Sequence, residues 1–229
     1  MSSVCHKFHK SRAAYYKLDV ATQKKALDGR ILHVLTMEKR KEMPRLGGKK
    51  TYHELKVDLR QHGIRIGRDK YFDWLRTENM LIRPKRRYAK TTNSFHRFRM
   101  YDNKIKGLSV KMADQVWVSD ITYLRLQKGF CYLSLITDVY SRKIVGFNVS
   151  NTLEVKGTLK ALEQACQGKT NRTTIHHSDR GFQYCSKQYT DLLKANNIEI
   201  SMGEVGNCYE NALAERVNGI LKSEFNLDT

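Results

Sequence analysis

Long apolar runs, paired cysteines and acidic residues are what this sequence has least of. No uninterrupted apolar stretch approaches the roughly 18 residues of a membrane span. The N-terminus, MSSVCHKFHKSRAAYYK, has no apolar h-region of the kind a secretory signal carries. A membrane protein and a secreted scaffold are therefore disfavoured. The five cysteines (Cys5, Cys131, Cys166, Cys185, Cys208) are scattered, odd in number and without a CxxC pair. They read as reduced thiols of a cytoplasmic protein rather than a disulfide frame or zinc knuckle. Cys5, His6 and His9 cluster, but no second ligand pair follows at finger spacing. Ser178 lies in no G-x-S-x-G elbow, so a hydrolase of that class is not indicated. There is no internal repeat and no low-complexity segment. At 229 residues, 40% hydrophobic and 28% charged, the chain is long and apolar enough for a core, which argues against wholesale disorder.

The acid deficit is the most informative of these shortages. Against 42 Lys and Arg stand 23 Asp and Glu, a net charge of +19. Residues 1–110 hold 28 bases and 10 acids, whereas residues 111–229 hold 14 and 13. One half is strongly cationic and the other nearly neutral. That asymmetry predicts a polyanion-binding module, with nucleic acid as its partner, joined to a module with another task, a solvated basic surface being the other reading.

Four segments follow from the pattern. Residues 1–21 form an N-terminal segment. Residues 22–82 are helical. Between Thr22 and Glu42, Leu27, Ile31, Val34 and Leu35 recur at helical spacing and predict a buried face. Pro44 and Gly47-Gly48 break the chain. TYHELKVDLRQHG then places Leu55, Leu59 and His62 on one side, with Gly63 as a stop. After IRIG, RDKYFDWLRTENMLI turns Phe72 and Leu75 inward and carries Arg68, Lys70 and Arg76, suited to a DNA groove. The pair is a helix-turn-helix candidate, though a plain helical hairpin fits the same pattern. Residues 83–112 read as a basic linker, whose Lys85, Arg86 and Arg87 suit phosphate contacts. Residues 113–229 change character. QVWVSDITYLRL, GFCYLSLITDV and KIVGFNVS are β-rich runs separated by short breaks, which predicts an antiparallel meander. LEVKGTLKALEQACQ is a helix, TTIHHSD a strand and SKQYTDLLKANN a helix capped by Ser186. IEIS is a strand and ALAERVNGILKSEF a helix. The order is βββαβαβα, an α/β core behind an all-α region.

Three carboxylates stand out in that core. Asp120 lies within the first strand, where a carboxylate is costly unless paired or bound to a cation. Asp179 ends the fourth strand, at the edge where α/β sheets meet ligands. Glu215 lies on the final helix, whose apolar face is Leu213, Val217, Ile220, Leu221 and Phe225. Its opposite stripe is Asn211, Glu215, Asn218 and Lys222. Three converging carboxylates would call for hard cations between them, and Mg²⁺ or Mn²⁺ suits oxygen ligands with open positions. The residues alone leave a second reading open, with Asp120 paired to Arg125, Asp179 in a turn and Glu215 solvated. His176 and His177 could approach a metal or DNA or simply pack. Gln183, Tyr184 and Lys222 could reach DNA.

The segments W117-V-S-D120-I-T-Y, H177-S-D179-R-G-F-Q-Y and G206-N-C-Y-E-N211-A-L-A-E215-R-V-N-G-I-L-K222 resemble the core of bacterial insertion-sequence transposases with a retroviral-integrase-like DDE domain. Thirty-five residues separate Asp179 from Glu215, the spacing typical of that family. The resemblance is close over about 113–225 and looser over 22–82, which looks like the family's upstream helix-turn-helix segment. The chain has Glu210-Asn211-Ala212 where the family usually has Asp-Asn-Ala. The resemblance implies a ribonuclease-H-like core. It also implies catalytic and metal-binding roles for Asp120, Asp179 and Glu215, two bound Mg²⁺ or Mn²⁺ ions, and cleavage and joining of DNA at element ends. A homo-oligomer on DNA, associated with the nucleoid in the bacterial cytoplasm, is implied as well, with no membrane and no small-molecule substrate. Such proteins usually continue several dozen residues past the glutamate helix. The chain is accordingly expected to be C-terminally truncated, and the alternative expectation is an impaired transposase that only binds DNA. A nuclease of the same fold without strand transfer is a further option.

Overall fold

A computed structural model describes residues 11–82, 99–170, 172–203 and 212–227. The chain divides into two units, Met1–Lys85 and Arg86–Thr229.

The first unit is helical. α1 runs from Arg12 to Glu42, ten residues longer at its start than the apolar periodicity predicts, and Ser11 caps it by accepting from the Ala14 N–H. α2 spans Gly48–Gln61 and α3 spans Arg68–Thr77. Gly63 adopts φ +68° after α2, a conformation that disfavours a side chain and stops the helix there. Leu32 of α1, Leu55 and Leu59 of α2, Ile64, and Tyr71 and Leu75 of α3 form one core. Polar bonds pin it: Thr36 Oγ1 and Tyr71 Oη lie 3.0 Å apart, and Arg40 Nη1 donates to the Met80 carbonyl at 2.9 Å. Half of the predicted stripe of α1 faces this core, since Ile31 and Leu35 pack against it. Leu27 and Val34 are exposed, while Leu32, Thr36 and Arg40 turn inward. The polar groups at 36 and 40 hide that face from a hydrophobicity reading. His62 is likewise exposed, and Tyr71 rather than Phe72 is the deeply buried ring.

The second unit is built on one five-stranded sheet in the order β3-β2-β1-β4-β5. β1 (Val116–Arg125), β2 (Phe130–Asp138) and β3 (Ile144–Ser150) form the predicted antiparallel meander. β4 (Thr174–Ser178) pairs parallel with β1, and β5 (Ile198–Met202) parallel with β4. Between them run α4 (Val155–Gln167), the short α5 (Phe182–Cys185) and α6 (Lys187–Ala195), whose cap is Ser186 as predicted. α7 (Ala212–Glu224) follows β5. With the strand directions, this is the ribonuclease-H-like arrangement. One sheet face packs Trp117, Ile136, Leu162, Tyr184, Tyr189 and Leu193 into the main core. α4 lies so close to β3 that a Cβ on Gly146 would strike the Ala161 carbonyl oxygen. The other face buries Val116 and Val118 beneath Ala214 of α7.

The described part of the expected linker, residues 99–112, has no regular element, yet it is fastened to the sheet. The Met202 N–H donates to the Asp102 carbonyl, Lys104 N–H to Ser201 Oγ at 2.8 Å, and Lys104 Nζ pairs with Glu199 at 2.7 Å. Among the described residues no helix is long and apolar enough to cross a membrane.

Candidate active site

The register of β1 against β4 brings two of the three predicted carboxylates together. Val118 lies opposite His177 in the parallel pair. Two residues on from each come Asp120 and Asp179, at the same level and on the same side of the sheet by the two-residue period. Adjacent strands are about 4.8 Å apart, so the two acids are neighbours through backbone geometry alone. α7 crosses this face of β1, and Asn218 on it donates from Nδ2 to Asp120 Oδ2 at 2.7 Å. Glu215 lies one turn before Asn218 on the same side of the helix.

The electrostatics agree with this placement. Burial, and next the negative charge of Asp179, push the Asp120 carboxyl up to about 7. The bonds from Asn218 and from the Ile121 N–H at 2.9 Å hold it down, and Glu215 adds a smaller upward push. Asp179 accepts from the Gly181 N–H at 2.9 Å, which curls the chain into α5. Tyr184, at the other side of the sheet, is also raised well above the usual phenol range by burial, with Tyr189, Asp120 and Asp179 adding to it.

Other buried acids in this unit are fully engaged. Asp138 accepts from the Asp114 N–H at 2.7 Å and from the Ser141 N–H and hydroxyl at 2.6 Å. Asp114 accepts from Trp117 Nε1 and from Thr170. Half-buried Asp120 has one backbone donor and one amide for its two oxygens, and two acidic neighbours. That environment suits a hard cation better than a proton-free, cation-free carboxylate. Among the described residues no three His, Cys, Asp or Glu side chains are gathered closely enough to share one ion. Asp179 acts on Asp120 more strongly than Glu215 does, and Glu215 is exposed on the helix beside them.

Several expectations change. Asp120 is held by Asn218, not by Arg125. His176 and His177 pack inside, the favoured of their two readings. His176 Nε2 bonds the Ser119 and Tyr189 hydroxyls, and His177 Nδ1 lies 2.9 Å from Ser201 Oγ. Gln183 donates to the Leu153 carbonyl and is buried, as is Tyr184. In the helical unit, Arg68 and Arg76 of α3 are exposed and each pairs with a neighbouring acid, Asp69 at 2.9 Å and Asp73 at 2.5 Å. Lys70 is exposed between them. Lys222 lies seven residues beyond Glu215, two turns along α7. Lys85, Arg86 and Arg87, and Asn211 of the predicted stripe, lie outside the described residues. Asn218 is the functional candidate that sequence reasoning put on the right stripe but did not single out. Its position three residues after Glu215 was the available signal.

Residues 110–208 match the family described as Integrase core domain. The chain is 32% identical over 233 residues to the insertion element IS600 uncharacterized 31 kDa protein of Shigella sonnei, a match covering 96% of this chain and 81% of that one. It is 35% identical over 177 residues to the transposase for insertion sequence element IS629 of Shigella sonnei, covering 76% of this chain and 60% of the relative. Among solved structures, the HTLV-2 integrase catalytic core domain in complex with magnesium is similar at 22% identity and a TM-score of 0.41, over 48% of this chain and 69% of that one.

Proposed function

The chain belongs to the bacterial insertion-sequence transposases with an integrase-like core, and from that premise we propose that it cuts DNA at the ends of an insertion element and joins those ends to target DNA. The observation that supports this is the register of β1 against β4, which brings Asp120 and Asp179 to the same level of the sheet, under the helix whose Asn218 bonds Asp120 and which also bears Glu215. Asp120, Asp179 and Glu215 would hold Mg²⁺ or Mn²⁺. When bound there, such ions would supply positive charge for an in-line phosphodiester displacement. One site can serve both steps, hydrolysis that frees a 3′-hydroxyl and attack by that hydroxyl on a second phosphodiester.

The protein's own residues do the positioning. β1 and β4 fix the two aspartates through the rigid centre of the sheet. Asn218 orients the Asp120 carboxylate by donating to Oδ2, leaving the other oxygen directed by the Ile121 N–H. Arg68, Lys70 and Arg76 of α3, the Lys85–Arg87 run and Lys222 bind phosphates and hold the DNA, on which the protein acts as a homo-oligomer.

The test is a Mg²⁺-dependent cleavage and joining assay on labelled element ends with Glu215→Gln. The substitution removes a ligand charge and keeps the helix face, so cleavage is expected to fall to background while DNA binding is retained. Full cleavage by Glu215→Gln would remove Glu215 from the site. Binding without cleavage by the unsubstituted chain, in Mg²⁺ and in Mn²⁺, would favour a DNA-binding role alone. Cleavage without joining would favour a nuclease.

A further inference from the structure

The helix that bears Glu215 is held to the sheet at few points. Of the thirteen residues of α7 only Ala214 and Asn218 are buried. Asn218 is tied to Asp120. Ala214 enters a small apolar cluster with Val116 and Val118 of β1. Glu215 stands between these anchors, one residue after the first and three before the second. An alanine methyl removes little apolar surface from water, so the first anchor is only as firm as the walls around it.

Part of that wall comes from neither the sheet nor the helix. Ile105 and Val110, in the irregular segment 99–112, are half-buried and pack against the same cluster, as does Leu213 of α7. The segment is itself fixed beside β5. Asp102 accepts the Met202 N–H, Lys104 Nζ pairs with Glu199, and the Lys104 N–H donates to Ser201 Oγ. That bond uses the Ser201 hydroxyl as an acceptor and leaves its proton for His177 Nδ1, 2.9 Å away. His177 is fully buried two residues before Asp179, on the same side of β4. One irregular segment thus supports both the strand that leads to Asp179 and the turn of helix that leads to Glu215.

We propose that Ile105 and Val110 are positioning residues for the reaction: they complete the socket of Ala214 and so fix where Glu215 stands relative to Asp120 and Asp179. This rests on the reading of Glu215 as a metal-holding residue. A ligand serves only if held to within about half an ångström. A socket short of one wall lets the start of α7 open while the sheet stays folded, because openings are local where few apolar contacts hold.

The experiment uses the full chain and two readouts. Hydrogen exchange needs neither DNA nor metal. In Ile105→Ala the amides from Arg216 to Ile220, the first that α7 bonds within itself, should exchange about tenfold faster or more, with β2 unchanged. Cleavage of labelled element ends should then need about tenfold more Mg²⁺ for half its maximal rate, at unchanged DNA affinity. Ile105→Val keeps most of the wall and should bring both readouts back towards those of the unsubstituted chain. Leu159→Ala removes as many carbons from the main core on the other face of the sheet. It should lower stability and leave the Mg²⁺ requirement where it was. Unchanged exchange in α7 of Ile105→Ala would overturn the proposal, as would faster exchange with an unchanged Mg²⁺ requirement. An equal shift in Leu159→Ala would overturn it too, as the mark of general loosening. Full cleavage by Glu215→Gln would overturn the catalytic reading, and the positioning role with it, whatever the exchange in α7 shows.

Discussion

Lowering the pH should loosen the sheet unit through one buried imidazole. His176 is fully buried on β4, its Nε2 shared by the Ser119 and Tyr189 hydroxyls and its ring 5.4 Å from that of Tyr189. Burial, helped by the neighbouring His177, lowers its pKa from 6.5 to about 3. The unfolded chain therefore takes up a proton as pH falls through 6.5, and the folded chain does not until about pH 3. Stability is fully present above 6.5 and is lost between 6.5 and 3, at about 1.4 kcal/mol per pH unit. From pH 8 to pH 5 the loss from this residue alone should be about 2 kcal/mol. Trp117 is buried in the same core and reports its unfolding. The assay is urea unfolding followed by fluorescence in a Trp74→Phe background, so that Trp117 is the sole indole. It compares the chain carrying His176 with His176→Gln, which keeps a polar group near Nε2 and removes the titration. The difference between the two pH profiles should open below about pH 6.5 and reach about 2 kcal/mol at pH 5. Parallel profiles would refute the assignment of a neutral, buried His176.

Three further outcomes are expected. Asn218→Leu removes the donor to Asp120 Oδ2, a charge-assisted bond of about 1.5–3 kcal/mol, so cleavage should drop by about ten- to a hundredfold with little change in DNA affinity, read as turnover against binding. Lys70→Ala, on the exposed side of α3, should shallow the slope of log K against log salt by about 0.9 if it neutralises one phosphate of duplex DNA, measured by titration at several salt concentrations. Gly146→Ala places a methyl against the Ala161 carbonyl; α4 must move off β3, and chemical denaturation should show a loss of about 1–3 kcal/mol.

What the sequence made legible depended on whether a feature was carried by chain order or by contacts made at a distance. The meander was readable because alternation and short breaks leave little choice of pairing, α4 was readable from its apolar stripe and α6 from its Ser186 cap, whereas α7 was readable as a helix but buries Ala214 and Asn218 rather than the apolar face expected of it. α5 was missed because four residues are too few to show a helical period. The inward face of α1 was read only in part: Ile31 and Leu35 pack against the core, but Thr36 and Arg40, which look solvent-facing, are also buried, with bonds to Tyr71 and Met80 far along the chain. In the site, position on the predicted elements brought Asp120, Asp179 and Glu215 forward, and only the family resemblance gave them their roles. Packing was the favoured reading of the strand-end His176 and His177, and both are buried, but the bond from Asn218 could not be read, since it depends on which neighbour a fold places alongside.

The central position of β1 has a consequence in time. One of its edges pairs with β2, which follows almost at once, but the other waits for β4. At about 5–20 residues per second, the roughly fifty residues from the end of β1 to β4 take about 2–10 s to leave the ribosome. Through that interval the nascent meander presents an unpaired, apolar edge at Val116, Trp117 and Val118, a template for adhesion to other chains. Asp120 meanwhile has no Asp179 beside it. Newly made protein thus passes through a sticky, inert stage on every round of synthesis, and crowding of polysomes would divert chains to aggregates before a working site could assemble.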